Sequence, residues 1–179
     1  MFRQLLEERQ SIREYEPRPV EKEKLQYIVE CAQKAPTSRN SQSCFYHVLT
    51  DRKVIEKISQ EGCKFAETQG YSMKQVAKNI GQELDEQDPF FYRAPVLIIM
   101  TQPQEDIQSG GIQTMALLLA AQEVGLRSCC IGLGQFAWDE IKKHITVPDK
   151  HVFGLAYTIG YSNSKPPVRV KDLTKVKYY

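Results

Sequence analysis

Seven consecutive residues, Met115 to Ala121, are apolar on every side of a helical wheel, and no other stretch constrains the fold as tightly. A helix of that composition cannot lie along a protein surface and asks to be wrapped by protein all round. It falls far short of the ~20 apolar residues of a membrane span, with Gln113 and Gln122 close on either side. Gly125 follows, where a left-handed C-terminal cap favours glycine. The chain then reads as a short buried strand, Ser128 to Ile131, left through Gly132-Leu133-Gly134. Glycines at the mouth of a strand let backbone come close to something flat or anionic. The expectation is a central helix, a central strand, and a ligand platform at the end of that strand.

A chain of 179 residues reads as one domain, 1–179, with 162–179 as an extended tail. The formal net charge of +2, with both signs interspersed, gives no reason to expect a nucleic-acid partner. The N-terminus has no apolar core of signal-peptide length, so a cytoplasmic protein is expected. Cys31, Cys44, Cys63, Cys129 and Cys130 are odd in number and contain no Cys-x-x-Cys, which reads as reduced thiols. His47, His144 and His151 show no ligand spacing and read as structural or surface residues; no metal site is expected.

Along the chain, residues 2–10 read as a short amphipathic helix carrying Leu5 and Leu6. If the next segment is extended, Arg9, Ser11 and Arg13 share one side while Ile12 enters the core. Two guanidinium groups and a hydroxyl on one face read either as a grip for an anionic group or as a solvated charged turn. A helix is expected from Glu21 to about Lys34, with Leu25, Ile28, Val29 and Ala32 facing inward, and Ala35-Pro36 ends it. The polar run Thr37-Ser38-Arg39-Asn40-Ser41-Gln42-Ser43 is either plain surface or a set of donors for a heteroatom-rich ligand.

A strand is expected over Cys44 to Thr50, then a helix capped by Asp51 with Val54, Ile55 and Ile58 inside. Residues 60–93 are the least legible, with helical periodicity around Val76, Ile80 and Leu84. Phe90-Phe91-Tyr92 reads as core or interface packing, or as a pocket wall. Val96 to Thr101 reads as a strand buried on both faces. A short helix is expected over Ala137 to Ile145 and a buried strand over Phe153 to Gly160. The basic, proline-broken tail is expected to run across the surface of another subunit or of its own.

Arg9/Ser11/Arg13, the 37–43 loop, the Gly132–Gly134 platform and the tail around Arg169 are expected to converge. They offer cations, hydroxyl and amide donors and open backbone, which suits a phosphorylated heteroaromatic cofactor. No Gly-x-Gly-x-x-Gly, P-loop or Gly-x-Ser-x-Gly element is present.

With those residues in place, the sequence resembles the FMN-dependent nitroreductases. The resemblance rests on Arg9-x-Ser11-Ile12-Arg13-x-Tyr15, on Ala35-Pro36-Thr37-Ser38-x-Asn40-Ser41-Gln42, and on Ala94-Pro95 opening a buried strand. It continues through Gly125-Leu126-x-Ser128-Cys129-x-Ile131-Gly132 to Ile159-Gly160-Tyr161 before a Lys-Pro-Pro tail. Two departures stand out: Ser43-Cys44, where the family often has proline and an aromatic, and Leu133 between two glycines that are often adjacent.

The resemblance implies an α+β fold with a central mixed sheet flanked by helices, built as an intertwined homodimer with flavin sites shared between subunits. It implies FMN contacts from Arg9, Gln10, Ser11 and Arg13, and, largely from the other subunit, from Pro36, Thr37, Ser38, Asn40 and Gln42. Ile131, Gly132, Leu133 and Gly134 would face the N5 edge, and Arg169 the phosphate. The implied activity is hydride transfer from NADH or NADPH through flavin N5 to a nitroaromatic, quinone or similar small acceptor. Flavin storage or sensing without turnover, and reductive dehalogenation on the same scaffold, are the alternatives. No protein nucleophile is needed, because the flavin carries the hydride.

Overall fold

The structure is a computed structural model in which residues 2–167 and 170–179 are described. Phe45–Leu49 (β1), Val96–Pro103 (β2), Arg127–Ile131 (β3) and His151–Gly160 (β4) form one sheet in the order β1-β2-β4-β3. Every neighbouring pair is antiparallel. The expectation of a mixed sheet is therefore corrected: among the described residues the parallel pairing is an isolated bridge between Ser11 and Ser128. β3 is likewise an outer strand of the four and not a central one, and the N-terminal segment lies along its free side through that bridge. Alternation and apolarity do not encode partner choice, so neither correction was available from local pattern.

Of the two interior strands, β2 is buried along nearly its whole length, and its side chains alternate between two layers. Val96, Ile98 and Met100 pack with Leu25, Ile28 and Ala32 of the helix Lys22–Gln33 (α2) and with Leu117 and Ala121 of Ile107–Glu123 (α5). Leu97 and Ile99 face the opposite way, toward Ile55 and Ile58 of Arg52–Thr68 (α3), toward Phe91, and toward Ile141 in the single turn Trp138–Ile141. Burial of each such side chain is worth about 1.5–3 kcal/mol. Phe2–Glu8 and Met73–Asn79 complete the helices described, with the latter formed inside the stretch whose sequence is least legible.

Local chemistry sets the element ends. The Asp51 carboxylate accepts from the Lys53 N–H at 2.9 Å, which caps α3 as expected. Gly125 takes φ +78°, and the Leu126 N–H donates to the Ala121 carbonyl at 2.9 Å, closing α5 with a left-handed cap. Pairing of β2 with β4 shifts between Met100 and Thr101, leaving Gly154 unpaired. A Cβ on Gly154 would lie 2.8 Å from the Met100 methyl, so the bulge needs a glycine. The helix expected over 137–145 is replaced by a 3-10 turn, Leu133–Ala137, leading into Trp138–Ile141. Tight i to i+3 bonds, from Gln135 to Gly132 and from His144 to Ile141, account for the difference.

The expectation that Met115 to Ala121 is wrapped by protein all round is met only in part by its own chain. Ile107, Ile112 and Met115 on this helix are exposed, while Leu117, Leu118, Ala120 and Ala121 are buried. The stretch Met115 to Ala121 is apolar all round, and its own chain leaves Met115 and the neighbouring Ile112 uncovered. Residues 170–179 are also exposed throughout, including Val170, Leu173 and Tyr178, so this part of the tail is not packed on its own subunit, whereas Asn163 still bonds Glu16. Among the described residues, no helix is long and apolar enough to cross a membrane.

Candidate functional site

The N-terminal segment meets β3 where the Ile12 N–H donates to the Ser128 carbonyl at 3.0 Å. Ile12 is buried, so Ser11 and Arg13 turn to the other side, as the extended reading requires. Tyr15 anchors the stretch from below. Its Oη donates to the Ile12 carbonyl at 2.8 Å and shares a second 2.8 Å hydrogen bond with the Thr158 hydroxyl. Burial, then the neighbouring Cys129 and Tyr92, push the Tyr15 phenol well above its ordinary value, so it stays a protonated donor.

Cys129 marks where the three grip residues gather. Burial pushes its thiol up, and the Arg13 guanidinium, the Ser11 hydroxyl and the Arg9 guanidinium all oppose that shift. Arg13 Nη1 also donates to the Ser11 carbonyl at 3.4 Å, and its guanidinium lies 5.9 Å from the centre of the Tyr92 ring. Among the described residues neither Arg9 nor Arg13 has a carboxylate partner. Two half-buried guanidinium groups without counter-ions, flanking a hydroxyl, are arranged to receive an anion.

Arg13 and Tyr92 border a cavity of about 350 Å³ that reaches Ile131 and Leu133 at the end of β3. Its apolar wall comes from Met73, Val76, Ile80 and Phe90. The sequence left this region unresolved, because its side chains meet β3 only through the tertiary fold. Of the three aromatics there, Phe91 is core, whereas Phe90 and Tyr92 also line the cavity. The wall turns sharply: Tyr92 and Arg93 both have left-handed backbone, at φ 56° and 54°. Asp88 holds that turn by accepting from the Phe91 and Arg93 N–H groups at 3.0 and 2.9 Å. Neither periodicity nor motif singled out Asp88.

The glycines at the strand mouth have different surroundings. A Cβ on Gly132 would meet nothing within 4 Å, so that backbone is open. One on Gly134 would lie 2.8 Å from the Phe153 ring, so Gly134 is a packing glycine under β4. Gln10 borders a separate cleft with Glu8, Arg127 and Lys165. Arg169 lies outside the described residues.

The 37–43 loop does not join this cluster within one chain. Its Ser38 N–H donates to the Ser109 hydroxyl at 3.0 Å, at the N-terminal end of α5. Residues 8–11 instead lie at the other end, where Glu8 meets Gln122 and Ser11 meets Ser128. A helix of 17 residues separates the two ends, on the order of 25 Å. The loop still presents polar groups outward, with Pro36, Asn40 and Gln42 exposed and Thr37 half-buried. Arg39, Asn40 and Gln42 have left-handed backbone, at φ 53°, 54° and 49°. Such conformations cost free energy in non-glycine residues and gather at functional sites.

His47 and His151, distant in sequence, meet on a buried Thr101 hydroxyl at 3.3 and 3.1 Å. Cross-strand pairing places them there. Among the described residues no group of three potential metal ligands occurs.

The fold defines a class: an α+β protein with helices on both faces of an antiparallel sheet, here with two guanidinium groups and a hydroxyl on the segment beside an outer strand. The family model described as the Nitroreductase family matches residues 6–161, and the chain belongs to that family. Solved structures agree on the fold. A nitroreductase with bound FMN from Desulfitobacterium hafniense DCB-2 aligns with a TM-score of 0.84 at 24% identity, covering 98% of this chain and 96% of that one. A nitroreductase with bound FMN from Bacteroides fragilis NCTC 9343 gives 0.82 at 17% identity, covering 98% and 97%. Iodotyrosine deiodinase bound to FMN and 3-iodo-L-tyrosine gives 0.79 at 21% identity, covering 100% and 99%. Compared with curated proteins, the chain matches none.

Proposed function

We propose that this protein is an FMN-dependent oxidoreductase that takes hydride from NADH or NADPH and delivers it to a nitroaromatic, quinone or similar small acceptor. The observation that carries the reading is the pair Arg9 and Arg13, both without carboxylate partners among the described residues, on the segment that Ser11 bridges to β3, with Arg13 lining the same cavity as Ile131 and Leu133. The FMN named for the nitroreductase and deiodinase neighbours supports the cofactor.

The residues present fit that group. Arg9, Ser11 and Arg13 offer cationic and hydroxyl donors to a phosphate and to the electron-rich side of a flavin ring. Bound FMN would supply a hydride carrier at N5. Arg13 would favour the reduced, anionic ring by charge. Gly132, with no side chain in the way, allows backbone to approach a flat ring edge. The cavity walled by Tyr92, Met73 and Ile80 would exclude water and hold an acceptor of modest size.

The separation of loop 37–43 from this cluster, together with the uncovered α5 face, supports a homodimer in which each loop completes the partner's flavin site. With its thiols reduced, the protein belongs in a cytoplasm.

Purified protein should be yellow, with about one flavin per subunit, and should bleach anaerobically when NADH or NADPH is added. Colourless protein that takes up no added FMN overturns the proposal. Flavin that binds but is reduced by neither nicotinamide points to storage or sensing.

A further inference from the structure

We propose that Asp106 is a positioning residue that holds the 37–43 loop in its working conformation and so shapes the flavin site that loop serves. The inference rests on the flavoprotein reading with a shared site.

Three hydroxyls converge on this one carboxylate. Ser41 Oγ donates to Asp106 Oδ2 at 2.8 Å, and Ser43 Oγ donates to the same oxygen. Ser109 Oγ donates to Oδ1 at 2.6 Å while accepting from the Ser38 N–H at 3.0 Å. The carboxylate therefore reaches the start of the loop through Ser109 and its end directly. Asp106 stands at the head of α5, where the helix dipole favours a negative charge. The three serine hydroxyls hold its carboxyl below the usual carboxylate range, so at neutral pH it is ionised and acts only as an acceptor.

The loop needs such a tie. Arg39, Asn40 and Gln42 sit in left-handed backbone, a conformation that persists only where surrounding structure over-determines it. Internal bonds supply part of that, from the Gln42 N–H to Thr37 Oγ1 and from the Ser41 N–H to the Ser38 carbonyl. They stay within the loop and cannot fix it to the body. Asp106 joins it to a 17-residue helix. With the Ser41 and Ser43 hydroxyls tied to Asp106 and the Ser38 backbone N–H tied to Ser109, the Asn40 and Gln42 side chains remain exposed and available. Asp106 makes no contact with a ligand in this scheme; it acts through the serines.

The test combines hydrogen exchange of the loop amides in the full-length protein with FMN titration of the stripped dimer. Asp106→Ala should speed exchange of residues 37–43 about tenfold and weaken FMN by a similar factor, since bonds to a charged acceptor are lost. Exchange in β2 and the melting temperature should stay near wild type. Asp106→Asn keeps one acceptor oxygen and should recover part of both effects. Ser41→Ala/Ser43→Ala removes the two loop donors of the three without touching the helix and should reproduce most of both changes, which covers the case in which Asp106→Ala fails to fold. The visible circular dichroism of bound flavin should also change, which a purely structural role distant from the ring would not produce.

Unchanged loop exchange in these variants overturns the proposal. Faster exchange with unchanged FMN affinity overturns it too, because the loop would then be held by Asp106 without serving the flavin. A wild type that takes up no FMN removes the flavoprotein reading itself, a result distinct from either.

Discussion

Arg52 Nη1 lies 3.1 Å from Oδ2 of Asp88, a carboxylate fully shielded from solvent. Arg52 also donates to the Ala94 carbonyl at 2.7 Å, so one guanidinium ties α3 to both ends of the turn at 88–94. Asp88 in turn holds the left-handed residues Tyr92 and Arg93 at the cavity wall.

Asp88→Ala should therefore cost about 3 kcal/mol, because it strips a partner from Arg52 and leaves the buried Phe91 N–H unmet. For a chain of this size that corresponds to a melting temperature lower by roughly 6–12 °C. Thermal unfolding followed by circular dichroism reads it. A change within about 1 °C would mean the turn is held by packing alone.

Arg13→Ala should weaken FMN binding on the order of 10–100-fold, whereas Arg39→Ala should change it by no more than about twofold. Arg13 is half-buried at the cavity beside Tyr92, while Arg39 is exposed on the loop. Flavin fluorescence titration separates the two. An equal or larger effect at Arg39 would reverse the assignment of the grip.

How much of this was legible follows from what is local. The α2 stripe at Leu25, Ile28 and Ala32, the Asp51 cap, the Gly125 cap and the buried run at Val96 all depend on neighbours within a few residues, and each reads from sequence. So did the extended segment with Ile12 inward. The outer position of β3, the meeting of His47 with His151 on Thr101, and the anchor at Asp88 depend on strand order or on contacts dozens of residues apart. Ser43 was legible as the end of the polar 37–43 run and as a departure from the resembled family, but its partner Asp106 was not. Its hydroxyl bond to Asp106 gives that departure a physical role, since the tie restrains backbone that a proline would otherwise stiffen.

Glu140 gives a pH dependence with a definite sign. Its side chain accepts from Lys143, Lys57 and His144. The Lys143 hydrogen bond, followed by those from Lys57 and His144, outweighs burial and holds the carboxyl down at about 2, against an ordinary 4.5. A lowered folded-state value contributes stability that is present above 4.5 and is lost as pH falls toward 2. Glu140→Gln should therefore melt below wild type at pH 7, with the gap closing as the solution is taken through that acid window. A gap that stays constant with pH would show that these three contacts do not stabilise the ionised form.

The exposed face of α5 makes assembly testable without disturbing the chain's own core. Ile112 is 48% exposed and Met115 is 38% exposed, whereas Leu118 on the same helix is only 8% exposed and belongs to the core. A charge at Leu118 would unfold the subunit whether or not a dimer forms. A charge at Ile112 should cost the isolated chain only about 0.5 kcal/mol. In a two-fold dimer that buries this face, the same charge would be unpaired and desolvated in each subunit, at a cost of several kcal/mol. Interfaces of the obligate kind bury on the order of 2,000–5,000 Å², ample to cover the α5 face and the uncovered tail. Ile112→Glu should then give a folded monomer that has lost FMN, since Thr37, Asn40 and Gln42 can no longer reach the partner's site. Sedimentation equilibrium at micromolar concentration, read at both protein and flavin wavelengths, measures mass and occupancy together. A wild-type monomer carrying a full complement of FMN would rule out the shared site, and the roles given to the 37–43 loop and to Asp106 would fall with it.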